Sequence, residues 1–138
     1  MTHILSSITV SEVMTSRVVT LGVDTTLEEA MEIVIQYGNY LYPVMEEQHM
    51  AGTVTYEDLL EAAKTLPGET PVREMTTDEV PSIAMDRTLR DAARLMAHEE
   101  IGRLLVVDQD DSDHLIGILS RSDVLQAYAK EIAGRDDA

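Results

Sequence analysis

The hydrophobic positions of the chain predict two amphipathic helices of the same design. Apolar residues recur at i, i+3, i+4 and i+7, the spacing that gathers side chains on one face of an α-helix. The first stripe comprises Leu27, Ala30, Met31 and Val34, and the second comprises Leu89, Ala92, Ala93 and Met96. Each helix is therefore expected to bury one stripe and expose the rest.

The residues ahead of each stripe predict where the helices begin. Thr26 is followed three positions later by Glu29, and Thr88 is followed by Asp91. A hydroxyl and a carboxylate at this spacing form a capping box, in which each side chain accepts a hydrogen bond from a free backbone N–H of the first turn.

Short apolar runs after each stripe predict two strands and a second helix in each half of the chain. The strands are expected at 41–45 and 51–55, then at 104–108 and 115–120, and the helices at 56–64 and 121–132. The order strand, helix, strand, strand, helix thus occurs twice. This predicts an α/β (α+β) fold.

The chain also repeats itself in sequence. A shift of 61 or 62 residues lays VSEVMTS (10–16) on VREMTTD (72–78) and YLYPVME (40–46) on GRLLVVD (102–108). We expect one repeat at 9–64, a connector at 65–71, a second repeat at 72–132 and a flexible tail at 133–138. Because sixty residues bury little surface alone, we expect the repeats to pack with pseudo-twofold symmetry.

Composition limits the partners and the location of the protein. Its 138 residues include 26 acidic and 10 basic ones, a net charge of −16 that repels nucleic acid and anionic membranes. The scarcity of lysine and the spread of acidic residues predict a salt-rich cytosol, the alternative being an ordinary acidic protein. There is no cysteine. With no signal peptide or membrane span in the sequence, we expect a cytoplasmic protein without a membrane or nucleic-acid partner.

A short motif occurs once in each repeat: GTVTYED at 52–58 and GILSRSD at 117–123. Together with the M-T pairs, the Thr-Leu-x-x-Ala helix starts, preceded by a second hydroxyl residue in the first repeat, and the strands that end V-x-[DE], it resembles the cystathionine-beta-synthase (CBS) domain, here in tandem over about residues 9–132. The resemblance implies a regulatory module, often a homodimer, that senses AMP, ADP, ATP or S-adenosylmethionine. It implies no cofactor and an unknown regulated protein.

The resemblance also implies roles for the motif residues. Asp58 and Asp123 would hold the ribose hydroxyls, and Thr55 and Ser120 would meet phosphate. Physical chemistry allows this, because the free N–H groups of a helix N-terminus favour an anion. The same four residues also have the spacing of a capping box, which needs no ligand.

The two predicted clefts are not equivalent, since each would be built from both repeats. Asp58 would face 80–83 and 101–103, including Ile101, and Asp123 would face 18–20 and 39–41, including Val19. Arg103 occupies a position where some nucleotide-binding relatives carry a phosphate-binding arginine, whereas Leu41 is its counterpart.

Three side chains near the motifs have alternative interpretations. Arg121 would accept a longer phosphate chain beside Ser120, whereas Glu57 would oppose one beside Thr55. Arg103 and Arg121 could instead be surface cations that pair with the acidic surface. Tyr40 would stack on adenine, or pack at an interface or rim.

Other chemistry finds little support in the sequence. The acidic run at 108–113 lacks the glycine and glutamate of a calcium loop, and the scattered histidines form no zinc motif. No nucleophile motif is present, so we expect no enzyme and no metal site. The leading hypothesis is a nucleotide-sensing regulator. A ligand-free scaffold dimer is the alternative, and a small nucleotide hydrolase or transferase is the third.

Overall fold

A computed structural model describes residues 2–79 and 81–136 of the chain. The helices are α1 (Thr2–Ser6), α2 (Val10–Val13), α3 (Leu27–Tyr37), α4 (Tyr56–Ala63), α5 (Leu89–Glu99) and α6 (Arg121–Asp136), with a 3-10 helix at Val72–Met75. The strands are β1 (Leu21–Gly22), β2 (Leu41–Glu46), β3 (His49–Thr55), β4 (Ser82–Ala84), β5 (Arg103–Val107) and β6 (Leu115–Ser120). Val80, which was predicted to face Asp58, lies outside the described residues, as do Asp137 and Ala138 of the predicted tail.

The chain forms two compact units. The central unit is Val18–Val80, and the terminal unit combines Met1–Arg17 with Pro81–Ala138. Each unit contains one three-stranded sheet, ordered β1-β2-β3 or β4-β5-β6, with one parallel and one antiparallel pairing. The predicted strand, helix, strand, strand, helix order is confirmed in each unit, and so is the mixed α/β class.

The predicted helix stripes lie against the cores of their units. In the central unit Leu27 and Ala30 are buried on α3, and in the terminal unit Leu89, Ala92 and Met96 are buried on α5. Both predicted capping boxes form, Thr26 with Glu29 and Thr88 with Asp91. The helix α6 continues to Asp136, so residues 133–136, which were assigned to the tail, are helical.

Each unit contains the leading segment of the other sequence repeat. The first leader, residues 10–16, lies in the terminal unit, where Thr15 forms an antiparallel bridge with Ile118 of β6. The second leader, residues 72–78, lies in the central unit, where Thr77 bridges Thr53 of β3. A compact unit is therefore one repeat with its leader exchanged.

The exchange explains the glycine that opens each motif. A Cβ atom on Gly117 would lie 2.6 Å from the carbonyl oxygen of Thr15, and one on Gly52 would collide with the carbonyl of Thr77. Real side chains do not approach a backbone oxygen so closely, so only glycine lets each leader cross its strand. Gly52 and Gly117 thus have a structural role in the motif.

Candidate functional site

The motif of the terminal unit links the end of β6 to the start of α6. The Ser120 N–H donates to Asp123 Oδ2 at 2.9 Å, and the Asp123 N–H donates to Ser120 Oγ at 3.0 Å. Both side chains are half-buried. The reciprocal bonds have the form of a capping box, because a strand that turns directly into a helix leaves the first N–H groups of the helix without backbone partners.

Three further predicted residues lie around this motif, and two of them, Ile101 and Arg103, were predicted to face Asp58 instead. Arg103 pairs with Ser120 across the β5–β6 ladder. The Arg121 backbone N–H donates to the Gly102 carbonyl at 2.8 Å, and its Nη2 donates to the Ile101 carbonyl at 3.2 Å. The structure therefore brings together five of the nine predicted site residues: Ile101, Arg103, Ser120, Arg121 and Asp123.

The guanidinium of Arg121 is bonded differently from those of the arginines in the surface ion pairs. The guanidinium of Arg121 donates to a backbone carbonyl, whereas Arg73 and Arg87 donate to carboxylates. Arg121 uses one of its five N–H donors in that bond. With Arg103 on the adjacent strand, it places positive charge beside Asp123 in a protein of net charge −16.

The motif of the central unit has the same backbone geometry. The Thr55 N–H donates to Asp58 Oδ2 at 3.1 Å, and the Asp58 N–H donates to Thr55 Oγ1 at 3.2 Å. Asp58 is exposed, whereas Asp123 is half-buried. Leu41 pairs with Thr55 across the β2–β3 ladder, where the terminal unit has Arg103.

Aromatic side chains take the place of arginines beside this second motif. The Tyr56 N–H donates to the Tyr40 carbonyl at 2.9 Å, and the two rings meet edge to face with centroids 5.5 Å apart. Tyr40 is thus in contact with Tyr56, at the rim of the motif. Val19 packs against the core of the central unit ahead of β1.

A buried tyrosine that the sequence analysis did not single out holds the loop beneath Tyr40. The fully buried hydroxyl of Tyr42 accepts a hydrogen bond from the Asn39 N–H at 3.0 Å. Burial raises the pKa of Tyr42 above its usual value, and the bond from Asn39 partly opposes this shift. The terminal unit has Leu104 at the equivalent position, so no sequence signal of the repeat marked this residue.

An acidic groove adjoins Asp58 within the central unit. It has a volume of about 440 Å³, and its charged lining residues are Asp58, Glu61 and Glu74. Thr76 and Thr77 of the second leader form part of its wall. Three carboxylates around one groove repel an anion, so the surroundings of Asp58 oppose a polyphosphate.

Both motifs can cap a helix and still offer groups to a ligand. In each, one carboxylate oxygen accepts the backbone N–H, and the other oxygen remains available to a diol. The Ser120 and Thr55 hydroxyls accept one bond and keep their own hydrogen for donation. The capping and ligand-binding interpretations are therefore compatible.

The described residues contain neither a cluster of metal ligands nor a helix that could span a membrane. Across 2–79 and 81–136, no group of three or more His, Asp or Glu side chains is placed to hold a metal ion. Within the same ranges, no helix is both long and apolar enough to cross a membrane.

Comparison with known proteins identifies the family. The CBS domain model matches residues 10–65 and 72–130. The chain belongs to the CBS domain family. It is 34% identical over 128 residues to the CBS domain-containing protein YhcV of Bacillus subtilis. This alignment covers 91% of this chain and 89% of YhcV. Several other relatives are longer, and this chain spans less than half of their length.

Solved CBS-pair structures agree with the fold. An acetoin utilization protein (AcuB) from Vibrio cholerae superposes with a TM-score of 0.80 at 28% identity, covering 95% of this chain and 97% of that one. CBSX2, solved in complex with AMP, superposes with a TM-score of 0.76 at 29% identity, covering 89% of this chain and 97% of its own. The predicted tandem CBS pair is thus confirmed, and CBS domains are generally regulatory.

Proposed function

We propose that this CBS pair binds an adenosine compound, either AMP, ADP, ATP or S-adenosylmethionine, and regulates a partner protein. The observation that carries the proposal is the cluster of Ser120, Arg121, Asp123 and Arg103 at one end of the terminal sheet. The AMP complex of CBSX2 supports the choice of an adenosine ligand.

The chemistry assigned to each residue follows from its available groups. Asp123 accepts hydrogen bonds from both ribose hydroxyls, one of which reaches the oxygen not used in capping. The Ser120 hydroxyl and the N–H groups at the start of α6 bind the first phosphate. Arg121 and Arg103 neutralise further phosphates through charge-assisted hydrogen bonds.

The second motif has a different ligand preference under this proposal. Thr55 and Asp58 bind AMP or a nucleoside at best, because the groove beside Asp58 contains Glu61 and Glu74. Tyr40, which was predicted to face Asp123, contacts Tyr56 at the rim beside Asp58. Stacking of adenine on Tyr40 is therefore part of the proposal, as are the facing roles of Val19 and Ile101.

We further propose a cytoplasmic homodimer that acts on a separate protein. Large apolar side chains lie exposed on the helices, among them Ile35 on α3, Leu60 on α4 and Leu125 on α6. Apolar surface of this kind on helix faces favours association with another chain. A salt-rich source remains a prediction from the sequence.

The scaffold alternative also has an observation in its favour. Each motif forms a complete capping box from its own residues, so these residues have a structural role that would preserve them in a dimer with vestigial clefts. Under that alternative, adenosine compounds would not bind. Ligand binding is what distinguishes the two functions.

Thermal unfolding with AMP, ATP and S-adenosylmethionine tests the proposal. A ligand at about 100 times its dissociation constant stabilises the folded state by about 2.7 kcal/mol. Asp123→Asn should abolish the gain from ATP, Asp58→Asn should leave it, and Asp110→Asn in the exposed acidic turn is the matched control. If no adenosine compound shifts the melting temperature of the parent, the scaffold alternative holds instead.

A further inference from the structure

A basic groove lies between α5 and β4, within the terminal unit. It has a volume of about 500 Å³. Arg94 and His98 line it from α5, and Arg87 lines it from just ahead of that helix. Among the described residues that line the groove, Asp91 is the one acid, and it already accepts a hydrogen bond from Arg87 at 3.0 Å. The charge of Arg94 is therefore not neutralised within the groove.

Positive charge is concentrated in this part of a strongly acidic chain. Arg87, Arg90 and Arg94 are three of its ten basic residues. Arg94 is exposed and has no hydrogen-bond or ion-pair partner among the described residues. The Nε atom of Arg90, one turn earlier, is shielded from solvent and also has no hydrogen-bond partner there. The central unit has Glu32 at the position equivalent to Arg94, so the basic groove is not a general property of the repeat.

The β4 side of the groove is an open strand edge. Among the described strands, β4 pairs with β5 alone. The Pro81 carbonyl accepts a hydrogen bond from β5 at 3.0 Å, and the Met85 N–H donates one to β5 at 2.9 Å. Alternate residues of a strand bond to the same neighbour in a parallel ladder, so Ser82 and Ala84 turn their backbone groups away from β5. Within the described residues, the Ser82 N–H, the Ser82 carbonyl and the Ala84 N–H have no backbone partner on that outer side.

An open edge beside a positive groove favours one kind of occupant. A strand edge binds an extended peptide through main-chain hydrogen bonds, and alternate side chains of that peptide point to the same face of the sheet. Arg87 and Arg94 lie at the groove on the α5 face, and guanidinium groups bind carboxylates by charge-assisted hydrogen bonds. Nucleic acid, another frequent partner of arginine clusters, is repelled by the net charge of −16.

We propose that the groove binds an extended acidic segment of the regulated protein, which adds to β4 as an outer strand. The inference rests on the proposed regulation of a separate protein and names the chemistry by which that protein is recognised. Ser82 and Ala84 bond to the peptide backbone, and Arg94 binds its carboxylates, with Arg87 beside it. The large apolar side chains proposed for self-association lie on α3, α4 and α6, and α5 contributes none of them.

A fluorescent peptide of five Glu-Thr repeats tests the proposal in the absence of any adenosine compound. Fluorescence anisotropy at about 0.1 M salt, where exposed charges are only partly screened, should detect binding to the parent, whereas a Gln-Thr peptide should not bind. Arg94→Gln should raise the dissociation constant about tenfold, the loss of one charge-assisted hydrogen bond. Arg135→Gln, which removes the same charge from the end of α6, is the matched control and should leave the dissociation constant unchanged. Equal weakening by both substitutions overturns the groove as the binding site.

A second probe tests strand addition separately from charge. The Glu-Thr peptide methylated on every backbone nitrogen keeps its carboxylates but has no N–H to donate, so it should bind about tenfold more weakly. Hydrogen exchange followed by NMR should show that the unmethylated peptide protects the Ser82 and Ala84 N–H groups. Equal affinity for the two peptides, or unchanged exchange at both positions, overturns the added strand.

Failure of the Glu-Thr peptide to bind the parent overturns the whole inference. Because these measurements contain no adenosine compound, that failure leaves the proposed binding of AMP, ATP or S-adenosylmethionine unaffected. Conversely, a parent that binds the peptide but is not stabilised by any adenosine compound retains the docking groove and loses the proposed ligand.

Discussion

The two motif regions share one backbone arrangement but differ in the charges that surround it. Around Asp123 the adjoining strand and the first helical residue supply Arg103 and Arg121. Around Asp58 the same two positions are Leu41 and Tyr56, and a groove with two further carboxylates adjoins. The two motifs thus share the hydrogen bonds of the capping box, whereas the charges of the side chains around them differ.

Replacing the motif glycines gives the largest expected effect and tests what the regions share. Gly117→Ala and Gly52→Ala should each lower the free energy of unfolding by about 1–3 kcal/mol, because the added methyl group displaces a leader backbone. Urea denaturation measures this. Gly134→Ala, in open space on α6, is the control and should stabilise the fold by about 0.5–1 kcal/mol. A large loss at one motif alone would contradict the equivalence of the two leader crossings.

Exchanging the residue that follows Ser120 or Thr55 tests whether the different charges around the two motifs give them different ligand preferences. Arg121→Tyr should weaken ATP binding about tenfold, the loss of one charge-assisted hydrogen bond, and should leave binding of adenosine, which lacks phosphate, unchanged. Titration calorimetry measures both affinities. Tyr56→Arg should not create a tight ATP site beside Asp58, because Glu61 and Glu74 remain. If Tyr56→Arg gives both motifs the same ATP affinity, then the acidic groove is not what prevents ATP from binding beside Asp58.

The smallest expected effect concerns the capping boxes at the starts of α3 and α5. A hydrogen bond from Arg87 holds the pKa of Asp91 below its usual value. Since the folded pKa is depressed, the stabilisation is present above the unfolded pKa of about 3.9 and is lost as the pH falls through the folded pKa. At pH 7, Asp91→Asn should therefore cost about 0.5 kcal/mol, given the exposure of the pair.

Denaturation at pH 7 and at about pH 3 measures the difference in free energy of unfolding between the parent and Asp91→Asn. This difference should become smaller at the acidic pH. Glu29→Gln in the central unit is the comparison. The pKa of Glu29 is lowered by its hydrogen bonds with Thr26, with no arginine involved. An Asp91→Asn effect that is independent of pH would mean that the ion pair with Arg87 contributes nothing.

Local features of the fold were predictable from the sequence, because each depends on neighbouring residues. The stripe of Leu27, Ala30, Met31 and Val34 sufficed to locate α3, and Thr26 with Glu29 marked its start. The proximity of Ser120 and Asp123 followed in the same way from a spacing of three. The sequence repeat also predicted that the same order of strands occurs twice, because two halves of similar sequence have similar folds.

Long-range features were not predictable, because no local signal specifies them. Nothing in the sequence around Thr15 indicates that its partner is Ile118 in the other repeat, since any open strand edge could accept it. The role of Gly117 depends on that crossing and was missed with it. The contact of Arg121 with the Ile101 carbonyl likewise joins residues twenty positions apart.

Because the leaders are exchanged, the residues that each unit needs for folding become available at different times during synthesis. The central unit is continuous from Val18 to Val80, so all its residues have been synthesised before most of the second repeat. The terminal unit needs Thr15 to meet Ile118, and the chain between these two residues includes the whole sequence of the central unit. Domains generally fold as they emerge, and long loops close at an entropic cost. We therefore expect the segment that contains Thr15 to remain unpaired until β6 has been synthesised.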